Sequence, residues 1–412
     1  MNRVTEILRG LVRIPSENIP PGGCEQQVQQ HIAHFLEGLG LAPTLYSLDE
    51  VPGLAQHALY WPHRHYLGRP NLVARMKGAG GGKSLILSGH VDTVPRGSLP
   101  WHRDPFGGEI EDGRMYGRGA CDMKSGIAIA LAVLENLTTQ GVRLRGDLLF
   151  ESIVDEEFGG VNGTLAGRVR GDLADAAIIT EPTNLRICPA QRGGRLLHLT
   201  FSAPADIFGK DQSAKTVIDS VANFLHRLPE LAAARKQAAP AHPHYQHTPE
   251  PVPVSVTNIS TNVWGWSEPI TVPSTCRLEI FLQSMPGETE DEVMRQFHEW
   301  LAGIGEAPAI DQPIRWLPGS AIAADHPLVT TLSACAGETL QPPAAVQGME
   351  APCDMYVFHE FGVPAVLWGA TGAGLHAPDE WVDLESLDTA TSVLERFVKE
   401  WCGVEQSSKE QE

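Results

Sequence analysis

Four apolar runs stand out along the chain, and each stops at polar residues. "SLILSGHVDTVP" runs into His90 and Asp92. "GDLLFESIVDEE" runs into Asp155, Glu156 and Glu157. "ADAAIITEPTN" ends at Glu181, and "VPAVLWGATGAGLHAPDE" passes through a Gly-rich loop to His376. Short continuous apolar runs bounded by turn residues predict strands buried on both faces, as in a parallel sheet. Between the first two runs lies "MKSGIAIALAVLENLTTQG", whose apolar spacing predicts a helix ending near Gly141. Strand, helix, strand is the signature of an α/β domain. The acids and histidines then fall at the carboxyl ends of strands, where open α/β sheets bind ligands.

From about Gly193 the texture changes. "GRLLHLTFSAPAD" alternates like a half-exposed strand, and "AKTVIDSVANFLHRLPELAAARKQ" has helical spacing. After a Pro-rich loop come "VSVTNIST" and "STCRLEIFLQSMPGE", then "ETEDEVMRQFHEWLAGIG", a helix with acids in its first turn. That is a βαββα-like insertion, with "EAPAIDQP" as the return linker. The expected organisation is an α/β domain at 1–192, an inserted α+β domain at 193–312 and the rest of the α/β domain at 313–412. The tail "VEQSSKEQE" is expected to be disordered.

Composition narrows the function. No run of eighteen apolar residues is present, so no membrane span is expected, and the amphipathic N-terminus lacks the apolar core of a signal peptide. The seven Cys contain no CxxC pair, which points to a reducing, cytoplasmic location. A net charge of −19 without a basic patch argues against nucleic acid and leaves a small molecule as the expected partner.

The clustered residues carry the chemistry. His90 and Asp92 can project to one side of a strand end, and a metal-bound imidazole commonly donates its other N–H to a carboxylate. An isolated His-x-Asp is more often a buried histidine satisfied by its neighbour. Asp122 in "MYGRGACDMKSGIA" sits just before the helix, where it could bridge two cations or serve as the N-cap. Three adjacent acids directly after "LLFESIV" repel one another near a core unless a cation compensates. One Glu of the triplet could bind metal while its neighbour takes a proton from water. Glu181 and His376 complete two imidazoles and three carboxylates, with one Glu to spare. Mixed ligands of this kind suit Zn, Co or Mn. His242, His244 and His247, in a Pro-rich loop, and His57, His63 and His65 are expected at the surface.

"SGHVDTVP", "GRGACDMKSGIA", "DEEFGG", "EPTN" and "HAPDEWV", in this order, resemble the acetylornithine deacetylase, succinyl-diaminopimelate desuccinylase, aminoacylase and carboxypeptidase G family of dinuclear metallohydrolases. The resemblance spans nearly the whole chain. It implies a mostly parallel, zinc-peptidase-like α/β domain carrying an inserted α+β lid, often the surface of a homodimer. It implies two divalent ions, zinc foremost with cobalt or manganese as substitutes. One ion would be held by His90, Asp122 and Glu181, the other by Asp122, Glu157 and His376. Glu156 would be the general base, and Asp92 would orient His90.

The lid departs from that pattern. Where the family places a His that stabilises the oxyanion, the stretch "FSAPADIFGKDQSAKTVIDSV" offers Asp206, and an ionised carboxylate would repel an oxyanion. Lys210 or a metal would take over, with Asp206 facing an amino or cationic group of an unusual substrate, or facing nothing in a repurposed lid. Gln283 stands where the family has an Arg for a substrate carboxylate. The expected reaction is hydrolysis of an amide C–N bond, N-deacylation of an N-acyl amino acid first and an aminohydrolase or deformylase reaction on a non-peptide or aryl amine second. A non-catalytic, metal-holding homologue is the alternative of a different class.

Overall fold

The computed structural model describes residues 2–160, 162–204, 206–207, 215–261 and 271–406, with the backbone alone at 206, 207 and 271. The chain folds as two units. The larger takes Met1–Ala190, Ala321–Met349 and Cys353–Glu412; the smaller takes Gln191–Ser320 and Glu350–Pro352.

In the larger unit six strands form one sheet: β1 (Thr44–Tyr46), β2 (Asn71–Met76), β3 (Leu85–His90), β4 (Leu148–Ile153), β5 (Ala177–Ile179) and β6 (Ala365–Leu367). Their order is β6-β5-β3-β4-β2-β1. The first four are parallel, and β2 and β1 add antiparallel to β4 and β2. Alternate residues serve opposite faces. Leu85, Leu87, Leu148, Phe150, Ile178 and Val366 join one apolar cluster, and Ile86, Leu149, Ala177, Ile179, Ala365 and Leu367 join another. A strand with both faces covered must be apolar throughout, which is why these segments read as unbroken runs. The helices Lys124–Thr139 and Leu384–Cys402 cover the first face, and Met355 and Phe358 of the helix Met355–Glu360 enter the second. Lys124–Thr139 is buried nearly all round, as its sequence demands. Its first turn lies against Thr180, so closely that a Cβ at Gly126 would meet the Thr180 carbonyl at 1.9 Å.

The register brings the strand ends level. His90 pairs with Ile153, and Ser88 with Ile179. The loops that follow β3, β4 and β5 therefore leave from one edge, beside the turn that precedes Lys124–Thr139. The chain after the last helix is held further than its composition suggested. Val404 bridges Leu144, and the Glu405 N–H donates to Arg143 O at 2.8 Å. Residues 407–412 of the expected tail lie outside the described residues.

The smaller unit is a four-stranded antiparallel sheet in the order Val254–Thr261, Thr275–Ser284, Gly193–Ser202, Ala309–Asp311. Leu197, Leu199, Phe201, Leu278, Ile280 and Leu282 pack there with Phe224 and Phe297 of the helices Val217–Ala238 and Glu290–Gly303. Both helices begin with reciprocal capping boxes, Thr216 with Asp219 and Thr289 with Glu292. The unit extends past residue 312. Residues 309–311, expected in a linker, instead pair with Gly193–Ser202 as an edge strand, and Gly194 and Leu317 exchange backbone hydrogen bonds of 2.8 and 3.1 Å. Among the described residues no helix is long and apolar enough to cross a membrane.

Candidate metal centre

His90 ends β3 with its side chain 1% exposed. Its Nδ1 lies 3.0 Å from the carbonyl oxygen of Asp92 and 3.7 Å from the Asp92 carboxylate. Nε2 is buried and has no hydrogen-bond partner. Around it stand Asp122 Oδ1 at 3.2 Å, Glu181 Oε1 at 3.6 Å and Glu156 Oε2 at 3.8 Å. The other Asp122 oxygen, Oδ2, lies 3.3 Å from His376 Nε2, which is 2.9 Å from Glu157 Oε2. Two groups able to hold an ion result, His90 with Asp122 and Glu181, and Asp122 with Glu157 and His376, with the ligand atoms of each within 4.8 Å of one another. A buried imidazole nitrogen without a partner, ringed by carboxylates, fits a divalent cation, and one carboxylate with an oxygen toward each group fits a pair.

The electrostatics agree. Burial pushes the Glu181 carboxyl up to about 8 and Glu157 up to about 7, each helped by the charge of Asp122. Burial likewise pushes Glu156 well above the carboxylate range, with Asp354, Glu181 and Glu157 adding to it. Burial alone would raise Asp122 too, but the imidazoles of His376 and His90 beside it hold it low. His376 is carried up to about 10 by Asp122 and Glu157, and the carboxylates outweigh burial to raise His90.

The acidic triplet is divided. Asp155 points away from the two groups and has φ 71°, a left-handed conformation that costs a non-glycine residue energy. Its Oδ1 accepts from Arg64 Nε at 2.8 Å and Asn18 Nδ2 at 3.3 Å, and its Oδ2 accepts from Tyr66 OH at 2.6 Å. Arg69 Nη2 stands 3.7 Å away. The cation that makes this acid tolerable is a guanidinium, so only Glu156 and Glu157 of the three face the centre.

The Asp92 carboxylate organises the same turn. It accepts from the backbone N–H of Glu156 at 3.1 Å and of Glu157 at 3.2 Å, and from Asn18 Nδ2 at 2.8 Å. The expected orientation of His90 runs chiefly through the Asp92 main chain, because the carboxylate is engaged with the turn. Glu380 is a residue that sequence reasoning missed. Fully buried, it accepts from Arg118 Nη1 at 2.8 Å and from the N–H groups of Gly119, Cys121 and Asp122 at 2.8–2.9 Å. Asp354 was missed as well. It is buried, accepts from Thr164 Oγ1 at 2.5 Å and contributes to the raised pKa of Glu156 and Glu181. The acid four residues after His376 was the available signal for Glu380; for Asp354 there was none.

In the smaller unit, the Asp206 backbone pairs with Val272, and Lys210 lies outside the described residues. Gln283 accepts from Arg192 Nη1 at 2.6 Å. His244, expected at the surface, is buried beside Tyr245 in a short 3₁₀ turn, whereas His247 is exposed.

A mixed sheet with paired imidazole–carboxylate groups sharing one aspartate, set at strand ends, makes this an α/β protein with a candidate site for divalent metal. It belongs to peptidase family M20/M25/M40, whose sequence pattern matches residues 86–400. It is 30% identical over 347 residues to a succinyl-diaminopimelate desuccinylase of Methylobacterium radiotolerans, covering 81% of this chain and 84% of that one. It is 25% identical over 414 residues to an N-formyl-4-amino-5-aminomethyl-2-methylpyrimidine deformylase of Bacillus subtilis, covering 93% and 91%. An M20 family metallo-carboxypeptidase of Sulfolobus solfataricus shares the fold at TM-score 0.74 and 16% identity, covering 97% and 99%.

Proposed function

We propose that the protein is a metal-dependent hydrolase of an amide C–N bond outside peptides, and that it N-deacylates an N-acyl amino acid or a similar small amide. The observation that carries this reading is Glu156. It is half-buried within 3.8 Å of His90 Nε2, yet it belongs to neither ligand group. A carboxylate held beside a metal pair without being used by it is placed for proton transfer. His90, Asp122 and Glu181 would hold one ion, and Asp122, Glu157 and His376 the other. Zinc is the expected metal, with cobalt or manganese as substitutes. When bound, the metals supply a water of lowered pKa and a Lewis acid for the carbonyl oxygen. Glu156 would take a proton from the attacking water at its carboxylate and return it to the leaving amine. Asp92 holds Glu156 and Glu157 by their backbone N–H groups. Asp206 and Lys210 would face the substrate, and the smaller unit would form a homodimer.

A second reading is deformylation, or amine release, on an aryl substrate. It is favoured by the deformylase relative, alignable over nearly the whole chain, and by Gln283 being bonded to Arg192 where the family has an Arg. One experiment separates the two. Metal-free protein is loaded with zinc, cobalt or manganese and offered N-acetyl, N-formyl and N-succinyl amino acids together with N-formyl aryl amines and free aryl amines. Glu156→Gln serves as the blank. Amine release from an acyl amino acid, lost in the blank, supports deacylation. Activity confined to the aryl set replaces it with the second reading, and a metal-loaded protein silent on every amide overturns both.

A further inference from the structure

We propose that Asp379 and Glu380 are positioning residues that hold His376 and the shared Asp122 at the distance a second metal requires. The inference rests on the metal-centre reading above. His376 is the weakly embedded member of the centre, its side chain 54% exposed where that of His90 is 1% exposed. It also sits at φ 62° in a loop where Gly374 has φ 77° and Asp379 has φ 57°. Left-handed residues of this kind persist only where the surroundings over-determine the backbone. Packing does not hold the His376 side chain, so the constraint must come from the chain on either side of it.

The two acids that follow supply it. Asp379 Oδ1 accepts from the N–H groups of His102 and Arg103 at 3.0 and 3.2 Å, and its Oδ2 lies 2.6 Å from His102 Nδ1. Glu380 gathers four donors, three of them backbone N–H groups of the turn that carries Asp122, one being the N–H of Asp122 itself. The Glu380 carbonyl also accepts from the Gly117 N–H at 2.9 Å. A five-residue stretch therefore contains one ligand and is bonded to the main chain of another. This explains why a fully buried carboxylate stands so close to the acids of the centre. Its charge is consumed by donors whose spacing it sets. Groups supporting metal ligands from outside are worth roughly 10–100-fold in metal affinity.

The test is metal binding by isothermal titration of metal-free protein, together with the visible and EPR spectra of the cobalt-loaded form. In Glu380→Gln the side-chain oxygen still accepts from Cys121 and Asp122, but the new NH₂ faces the donors of Gly119 and Arg118. The first ion should bind nearly as in the wild type, and the second about 10–100-fold more weakly, with altered cobalt spectra. Glu380→Asp should recover part of the loss. Asp379→Ala, near the surface, should weaken the second ion, and it decides the question where Glu380→Gln does not fold. Wild-type affinity for both ions and wild-type spectra in Asp379→Ala and Glu380→Gln would overturn the proposal. A wild-type protein that takes fewer than two ions would instead overturn the metal-centre reading, and this inference with it.

Discussion

Asp155 and Glu157 are two residues apart in one turn, and both carboxylates are buried. Around Asp155 the chain assembles Arg64, Tyr66 and Asn18, with Arg69 behind them. Around Glu157 it assembles an N–H of Val94 at 3.1 Å and the exposed His376. The contrast extends across the larger unit. Glu25 is matched by Arg69, Glu151 by Arg168 and Glu380 by Arg118. Asp122, Glu156, Glu157 and Glu181 are matched, among the described residues, by imidazoles. A guanidinium is a permanent cation; an imidazole is one only when protonated, and it can give that role up to a metal. Buried acids closed by arginine are therefore architecture, and buried acids facing histidine are a place kept for a cation.

That contrast breaks most sharply at Glu156, the acid on the open side that is no ligand. Glu156→Gln should lower kcat by about 10²–10⁴-fold, the usual worth of a positioned general base. Both ions should still bind at wild-type stoichiometry, measured by elemental analysis of the purified protein. Loss of an ion would make Glu156 a ligand and remove the distinction. On the closed side, Asp155→Asn keeps a residue tolerant of φ 71° but strands Arg64, whose side chain is 7% exposed. Removing one partner of a buried pair costs about 3–5 kcal/mol, so the melting temperature should fall in metal-free and metal-loaded protein alike. A loss that vanishes on metal loading would tie Asp155 to the centre.

How much of this the chain discloses depends on distance along it. Each proposed ligand sits where an apolar run meets a loop, a pattern visible within a dozen residues, and the fold gathers all five. The partners of Asp155 come from 89, 91 and 137 residues away, and no local pattern announces them. An acidic triplet read alone thus points to one cation for three acids. Glu380 was hidden for a different reason. It lies in an aperiodic loop, and its partners are mostly main-chain N–H groups, which every residue but proline carries. Ala309–Asp311 is too short for alternation to mark it as a strand, and the prolines around His244 suggest a surface loop where the turn in fact folds inward.

A half-buried titratable group away from the centre provides a control on acid sensitivity. His359 accepts the Ala365 N–H at Nε2, 3.2 Å away, and burial lowers its pKa to about 4. An imidazole in the unfolded chain takes a proton near pH 6.5, before the folded one does. Stability from this group is complete above pH 6.5 and is lost as the pH falls toward 4, by up to about 3 kcal/mol. Metal loading should leave that part of the acid limb unchanged, and His359→Gln should flatten it. An acid limb identical in His359→Gln and wild type, measured by urea unfolding across pH 4–8, would assign all the sensitivity to the metal centre.

The finest test inverts a sign. In metal-free protein Glu157 carries a pKa of about 7 because burial and Asp122 oppose its charge. Above that pH the folded state must hold an ionised group it disfavours, whereas the unfolded chain does not. Replacing Glu157 by Gln keeps an oxygen to accept the Val94 N–H and removes the charge. At pH 8 without metal, Glu157→Gln should therefore melt at or above the wild type, a gain of about 1 kcal/mol after the contact with the exposed His376 is lost. With saturating metal the order should reverse, because a ligand that binds only the folded state stabilises by about 2.7 kcal/mol at a hundred times its Kd, and the variant has lost one such ion. Asp155→Asn shows no such reversal on the same argument, since its partner is part of the chain. Equal melting temperatures for Glu157→Gln and wild type in both conditions would show that Glu157 is closed by the protein as fully as Asp155 is, and the division of the triplet would fail.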